Sequence, residues 1–174
     1  MILVREVEHL LSISARQRQR RDAEVINRAA VVFLVAVWQT YVEALADELC
    51  ALVGGAAAKA APNRLSTPNS KNVDALFERL FGLKAVSNSW TWRGMTCGQA
   101  RSKLDKILAL RHQIAHKARV RGMVRRGTVL SYLHFVHRLA ICLYNHTARY
   151  AATLLGKPAP RKIMYGGTIG QFTG

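Results

Sequence analysis

Apolar residues recur at intervals of three and four along most of the chain, whereas the strict alternation typical of β-strands is nearly absent. This period is that of amphipathic helices with one buried face. We therefore expect an all-α fold, a single-domain helical bundle of about five helices over residues 1–156. Residues 157–174 combine Gly, Pro and basic residues, and they are expected to form a C-terminal tail that is mobile or draped over a surface.

Capping and turn-forming residues predict where each helix begins and ends. A stretch rich in Ala, Pro and Asn after Gly54-Gly55 predicts a surface loop between the second and third helices. The predicted helices cover residues 1–20, residues 23–53 with Asp22 as the N-cap, a short helix from Asn69 or Ser70 to Leu80 that Gly82 ends, a helix opened by a capping box of Thr96 and Gln99, and a last helix from Thr128 to about Leu155.

The composition argues against a membrane or disulfide-rich protein. The longest uncharged apolar stretch, residues 29–42, has 14 residues and contains Gln39 and Thr40, whereas a bilayer-spanning helix needs roughly 20. The first residues do not have the pattern of a secretory signal. Three widely spaced cysteines without a CxxC pair predict neither a disulfide framework nor a zinc cluster. We expect a soluble cytoplasmic protein with no membrane partner.

The net charge of +16 is concentrated in the second half of the chain. Residues 84–174 hold 16 Lys and Arg against one acid, Asp105, for a net of +15, whereas residues 1–83 hold 10 basic and 9 acidic residues, for a net of +1. A positive surface attracts a polyanion, and binding releases the counterions that are condensed on the polyanion. RNA or another nucleic acid is the expected partner, and an anionic membrane surface is the competing interpretation.

The run RHQIAH at residues 111–116, near the end of the predicted fourth helix, lies in this basic half. Arg and His also meet at this spacing by chance, as a surface arginine and a histidine that interacts favourably with a helix C-terminus. The sequence on both sides indicates a functional motif. The run resembles the RxxxxH signature of HEPN domains, and its surroundings resemble the RiboL-PSP-HEPN-like branch. The resemblance covers roughly residues 20–155, through WQTYVEAL at 38–45, NSKNVDALFERLFGL at 69–83, a tryptophan segment and LDKILALRHQIAH at 104–116.

This resemblance implies a metal-independent endoribonuclease with Arg111, His112 and His116 as candidate catalytic residues and no cofactor or metal. It also implies products with a 2′,3′-cyclic phosphate and a 5′-hydroxyl. The chemistry suits the residues, because a histidine exchanges protons near neutral pH and a planar guanidinium binds two phosphoryl oxygens at once. Members of the family often have Asn where this chain has His112, and often a Glu near Gln39, so the accessory polar contacts differ here.

The spacing of Arg111 and His116 constrains how they act together. Positions five apart on an ideal α-helix point about 140° away from each other, whereas His112 and His116 share a face. Either the helix frays or tightens near His116, or two copies face each other and both line one cleft. The second option matches the dimers that the resemblance implies, so we expect a homodimer with a composite site. The expected RNA-binding residues flanking it are Lys117, Arg119, Arg121, Arg125 and Arg126.

Two other functions remain open from the sequence alone. One is a nucleic-acid-binding module that has the basic groove without the chemistry, and the other is a helical module that binds an acidic, antitoxin-like protein. His134 and His137 have a spacing that could share a metal, but neither a carboxylate nor a cysteine stands nearby. Trp90 and Trp92 are candidates either for stacking on bases or for packing under a loop, and packing is the preferred interpretation.

Overall fold

Five α-helices and one short 3₁₀ helix make up the regular structure of residues 2–53, 65–117 and 122–165, the part of the chain that the computed structural model describes. The fold is all-α, as the periodicity predicted. The elements in chain order are α1 (Ile2–Arg16), α2 (Arg20–Val53), α3 (Ser70–Phe81), the 3₁₀ helix Val86–Ser89, α4 (Cys97–Lys117) and α5 (Arg126–Leu154).

The long helix α2 is the centre of the bundle, because it packs against α1, α3, α4 and α5. Its Leu34 and Trp38 are almost fully buried, together with Leu104 of α4 and Leu139 of α5. Each large apolar side chain buried in this way contributes roughly 1.5–3 kcal/mol. By length and hydropathy α2 could also cross a membrane, and half of its most apolar window is buried inside the bundle.

The ends of α3 and the start of α4 follow the predicted capping chemistry. The Asn69 side chain accepts a hydrogen bond from the Asn72 amide, and Gly82 ends α3 in the left-handed conformation with φ 67°. At α4 the Gln99 side chain accepts from the Thr96 amide at 2.9 Å, and the Gln99 amide donates to Thr96 Oγ1 at 3.3 Å. This reciprocal pair is the capping box that the sequence predicted.

Two predicted N-caps are wrong. Helix α2 begins at Arg20, so Asp22 lies in its first turn; the Ala23 amide already donates to the Gln19 carbonyl. Helix α5 begins at Arg126, so Thr128 lies inside it. In both cases the backbone bonding starts earlier than the side-chain pattern suggested, since arginines are good helix formers and extend the first turn. Helix α1 also ends earlier than predicted, at Arg16.

A buried amide joins the two N-terminal helices to the chain segment that precedes α5. Asn27, only 4% exposed, donates from Nδ2 to the Val124 carbonyl at 3.0 Å and accepts from the Ser14 hydroxyl at 2.8 Å. Because buried polar groups are costly when unpaired, this junction fixes α1, α2 and residue 124 relative to one another. It therefore positions the segment that leads from α4 into α5.

The first part of the predicted tail lies along α5. Both polar atoms of the Asn145 side chain bind the backbone of Ile163, with Nδ2 donating at 2.9 Å and Oδ1 accepting at 2.8 Å. We call residues 157–165 the strap. Residues 54–64, which include most of the predicted surface loop, and residues 166–174 of the tail lie outside the described residues.

Candidate functional site

The α4 motif, defined as Arg111, His112 and His116, lies in the last two turns of α4. The same helix is anchored in the core by a buried stripe, Ala100, Leu104 and Ile107, while Leu110 and Ile114 are half-buried. Spacings of three and four repeat one face of a helix, so Arg111 continues the direction of this stripe. The capping box and the stripe therefore fix the orientation of the motif.

All three side chains of the α4 motif are exposed. The His112 and His116 rings lie side by side, with centroids 4.6 Å apart and planes inclined by 44°. Among the described residues none forms an ion pair with Arg111 or accepts a hydrogen bond from it. Arg111 is thus a permanently charged, exposed group on the helix face that points into the bundle earlier in α4.

Helix α4 is unbroken through Lys117. The predicted alternative of a helix that frays or tightens near His116 is therefore not what the described residues adopt. In an intact helix the two ends of the RxxxxH spacing point about 140° apart, so Arg111 and His116 of one protomer do not converge on a single phosphate. His112 and His116 do share a face, as their spacing predicted.

The predicted RNA-binding flank is only partly within the described residues. Arg119 and Arg121 lie outside them, as does the side chain of Lys117. Arg125 and Arg126 are exposed, and Arg126 Nε donates to the Leu11 carbonyl at 3.1 Å. Both arginines line a depression at the α1–α2 junction to which the α4 motif contributes no residue. The α4 motif is therefore not part of this depression.

His134 and His137 face an apolar cavity of about 510 Å³ between α1, α2 and α5. Burial lowers the pKa of His137, and the neighbouring His134 and Arg138 lower it further, while Glu8 opposes them. Among the described residues there is no group of three or more His, Cys, Asp or Glu side chains placed to hold a metal ion.

The tryptophan segment contributes to packing. Trp90 is fully buried and meets Trp38 edge to face, with centroids 5.8 Å apart. Trp92 is half-buried and packs on Phe135 at 5.9 Å. Packing is thus the main role of this segment, as preferred from the sequence, and Trp92 is the tryptophan of the two that stays partly exposed.

Gln39, which stands where related sequences often have Glu, ties α2 to the loop before α3. Its Nε2 donates to the Leu65 carbonyl at 2.7 Å and to Glu43 Oε1 at 3.2 Å, and the same Glu43 oxygen accepts from the Leu65 amide. The polar contacts of this position are therefore satisfied inside the described fold, away from the side chains of the α4 motif.

Sequence reasoning missed a set of basic and polar residues on α5 and around it. Arg138, Asn145 and Arg149 share one helical face, since spacings of seven and eleven return to nearly the same direction. Together with residues of the tryptophan segment and the strap, they line a cleft of about 620 Å³. Their periodicity could have revealed the face, but the strap that completes it is a tertiary feature.

The family model described as RiboL-PSP-HEPN matches residues 58–148, a little more than half of the 174 residues. The chain belongs to the RiboL-PSP-HEPN family. The matched part of this RiboL-PSP-HEPN protein includes α3, the 3₁₀ helix, α4 with its motif, and most of α5, whereas α1 and α2 precede it. No curated protein and no solved structure matches the chain significantly.

Proposed function

We propose that this RiboL-PSP-HEPN protein is a metal-independent endoribonuclease whose active site is built from the α4 motif. The observation that carries the proposal is the exposure of Arg111, His112 and His116 together at the end of a well-anchored helix. Membership of a family in which ribonucleases are common supports it. The +15 charge of residues 84–174 also supports it, because it attracts an RNA substrate.

In the proposed reaction the 2′-hydroxyl of one nucleotide attacks the adjacent phosphorus, and the bond to the 5′-oxygen of the next nucleotide breaks. His116 accepts the proton of the 2′-hydroxyl, and the leaving 5′-oxygen receives a proton in return from the imidazolium, roles suited to a histidine. The Arg111 guanidinium stabilises the negative charge that accumulates on the non-bridging oxygens. The products are a 2′,3′-cyclic phosphate and a 5′-hydroxyl, so atoms balance without water or a metal ion.

The geometry of one protomer leads us to propose a homodimer. Arg111 and His116 diverge on an intact helix, so a phosphate that touches both must receive them from different copies. The exposed end of α4 is the surface on which two copies would pair, with Arg111 of one copy next to His116 of the other. The half-buried Leu110 and Ile114 lie on the same two turns and supply apolar area for such a contact.

The cleavage of single-stranded RNA in the presence of EDTA tests the proposal. We expect the wild-type protein to cut, and we expect His116→Ala and Arg111→Ala to lose at least 100-fold in rate, since general acid-base and electrostatic contributions are each about 10²–10⁴-fold. His112→Asn restores the residue common in the family, so it is expected to retain activity. His9→Ala, an exposed histidine on α1, is the matched control and should cut like the wild type.

Activity that survives His116→Ala, or that appears only when a divalent ion is added, would contradict the proposal. Salt-sensitive RNA binding without cleavage by the wild type would instead favour a non-catalytic binding module. If RNA does not bind at physiological salt, the domain is better explained as a protein-interaction module for an acidic partner.

We propose the cytoplasm as the location, since a ribonuclease acts where RNA is found and the three cysteines are free. A role as a toxin or antiphage effector is consistent with a small, basic, cofactor-independent nuclease. In that role an antitoxin-like protein is the partner that we propose would restrain it in the producing cell.

A further inference from the structure

A second basic site lies apart from the α4 motif. The cleft of about 620 Å³, here called the α5 cleft, is formed by the tryptophan segment, the second half of α5 and the end of the strap. Four cationic side chains line it, and its lining contains neither Asp nor Glu. These basic residues are Arg93, Arg138, Arg149 and Lys162. A recess with charge of one sign focuses the field on an anion.

Two aromatic rings hold Arg138 in the α5 cleft. Its guanidinium carbon lies 3.9 Å from the Tyr165 ring centroid and 5.8 Å from that of Trp92. Aromatic faces hold a guanidinium in place without using its N–H donors. Among the described residues none forms an ion pair with Arg138 or accepts a hydrogen bond from it. A planar, pre-oriented set of donors therefore faces the cleft.

The other walls of the α5 cleft are held by polar contacts. Asn145 uses its side chain to fasten Ile163, which places Lys162 and Tyr165 on either side of that attachment. Arg149 Nε donates to the Asn145 carbonyl at 3.2 Å. The buried Nε2 of His146, also in the lining, has no hydrogen-bond partner among the described residues. These contacts within the chain form the walls of the cleft.

The α5 cleft is separate from the α4 motif. Its lining residue Asn88 accepts a hydrogen bond from Arg101 in the first turns of α4. Arg111 lies ten residues further along the same helix, which corresponds to about 15 Å along the axis at 1.5 Å per residue. A shallower depression containing Lys103 shares Arg138 and Trp92 with the cleft, so the basic surface continues from the cleft towards the middle of α4.

We propose that the α5 cleft binds phosphate groups of single-stranded RNA. Phosphates match the charge-assisted, bidentate donors of Arg138, and the partly exposed Trp92 ring lies beside them for contact with a base. A recess of this size admits a flexible strand, whereas duplex phosphates lie on a convex, rigid surface. The choice of RNA as the polymer rests on the proposed function. The cleft then holds the substrate strand at a distance from the bond that the α4 motif cuts.

Fluorescence anisotropy with a labelled single-stranded RNA tests this proposal, in the full-length His116→Ala protein so that the probe stays intact. We expect Arg138→Ala to weaken binding about tenfold and to reduce the slope of log K against log salt by about 0.7, the value for one phosphate contact in single strands. Arg138→Lys keeps the charge but loses the planar guanidinium, so its RNA affinity should lie between that of the parent protein and that of Arg138→Ala. Lys162→Ala, on the strap, should weaken binding without disturbing the helices.

Arg161→Ala is the matched control, because it removes the same charge from the exposed neighbour of Lys162 that does not line the cleft. Losses in Arg138→Ala and Lys162→Ala no larger than in Arg161→Ala would overturn the proposal. Equal affinity for duplex RNA would overturn its single-stranded part. Competition by AMP at concentrations comparable to those of the RNA would assign the cleft to free nucleotides and overturn the choice of polymer.

The outcome for the α5 cleft is distinguishable from that for the proposed function. If the wild type fails to cut RNA while binding still depends on Arg138, the nuclease proposal fails alone. If the wild type cuts RNA but Arg138→Ala binds and cuts as Arg161→Ala does, the cleft proposal fails alone. In the cleaving protein Arg138→Ala is expected to raise KM and to leave kcat within about threefold of the wild type, since a distant phosphate contact contributes uniform binding.

Discussion

Replacing Asn27 with alanine tests the junction that holds the return of the chain after α4. The substitution removes two hydrogen bonds from a side chain that is only 4% exposed. The Ser14 hydroxyl keeps its second partner, the Ala23 carbonyl at 3.3 Å, whereas the Val124 carbonyl loses its side-chain donor. Each lost bond with a buried partner costs about 1–3 kcal/mol when that partner is left unpaired.

We expect Asn27→Ala to lower the free energy of unfolding by about 2–3 kcal/mol, because one partner is stranded and the other is partly compensated. For a chain of this size 1 kcal/mol corresponds to about 2–4 °C in Tm, so the midpoint should fall by roughly 4–12 °C. Urea and thermal unfolding followed by circular dichroism measure both quantities.

Ser14→Ala is the companion variant, and it should cost about 1 kcal/mol because it removes one of the same bonds. The loss in free energy of unfolding in the double variant should be about 1 kcal/mol smaller than the sum of the losses in the two single variants. This difference is the signature of a shared interaction. A loss below about 0.5 kcal/mol in Asn27→Ala, or strict additivity in the double variant, would refute this account of the junction.

Three further predictions concern the active site, the core and pH. Mixing Arg111→Ala with His116→Ala should restore about a quarter of the wild-type cleavage rate, because half of randomly formed dimers carry one intact composite site of two; no recovery would contradict a shared site. Trp38→Phe should lower the free energy of unfolding in urea by about 1–3 kcal/mol more than Trp90→Phe. Both rings are buried, but Trp38 Nε1 donates to a loop carbonyl, whereas Trp90 Nε1 has no partner among the described residues. Equal losses in the two variants would contradict this. Burial, reinforced by a nearby arginine, lowers the pKa of His146 below 6.5. The unfolded chain therefore binds the proton more readily, so the free energy of unfolding should decrease as the pH falls below 6.5. The decline in Tm from pH 7.5 to 5.5 should be smaller in His146→Gln.

The elements of the fold that rest on local chemistry were predictable from the sequence. The capping box of Thr96 and Gln99 and the left-handed stop at Gly82 act through neighbours three or four residues away, so their pattern is visible in the chain. Asp22 and Thr128 were misassigned as N-caps because a suitable side chain near a helix start does not fix the first backbone hydrogen bond. In α5 that bond is set one turn earlier, where Arg126 also binds the Leu11 carbonyl across the bundle.

The sequence alone could name candidate residues for the site, but it could not show the surface on which they lie. The identity of Arg111 and His116 follows from the motif and its context, and their divergence follows from helix geometry. The α5 cleft depends on contacts between parts of the chain that are far apart in sequence, such as Asn145 with Ile163 and Arg138 with Tyr165. Periodicity alone does not reveal which segment will cover a basic helix face.

The central claim is that this protein cuts RNA through the 2′-hydroxyl without a metal ion. The most direct measurement uses two matched single-stranded RNAs in EDTA, one all-ribose and one with 2′-deoxyribose at the nucleotide 5′ of the mapped cleavage site. We predict that the all-ribose RNA is cut there to a 2′,3′-cyclic phosphate and a 5′-hydroxyl, and that the substituted RNA is not cut at that position. Cleavage of the substituted RNA at the same bond would contradict the claim.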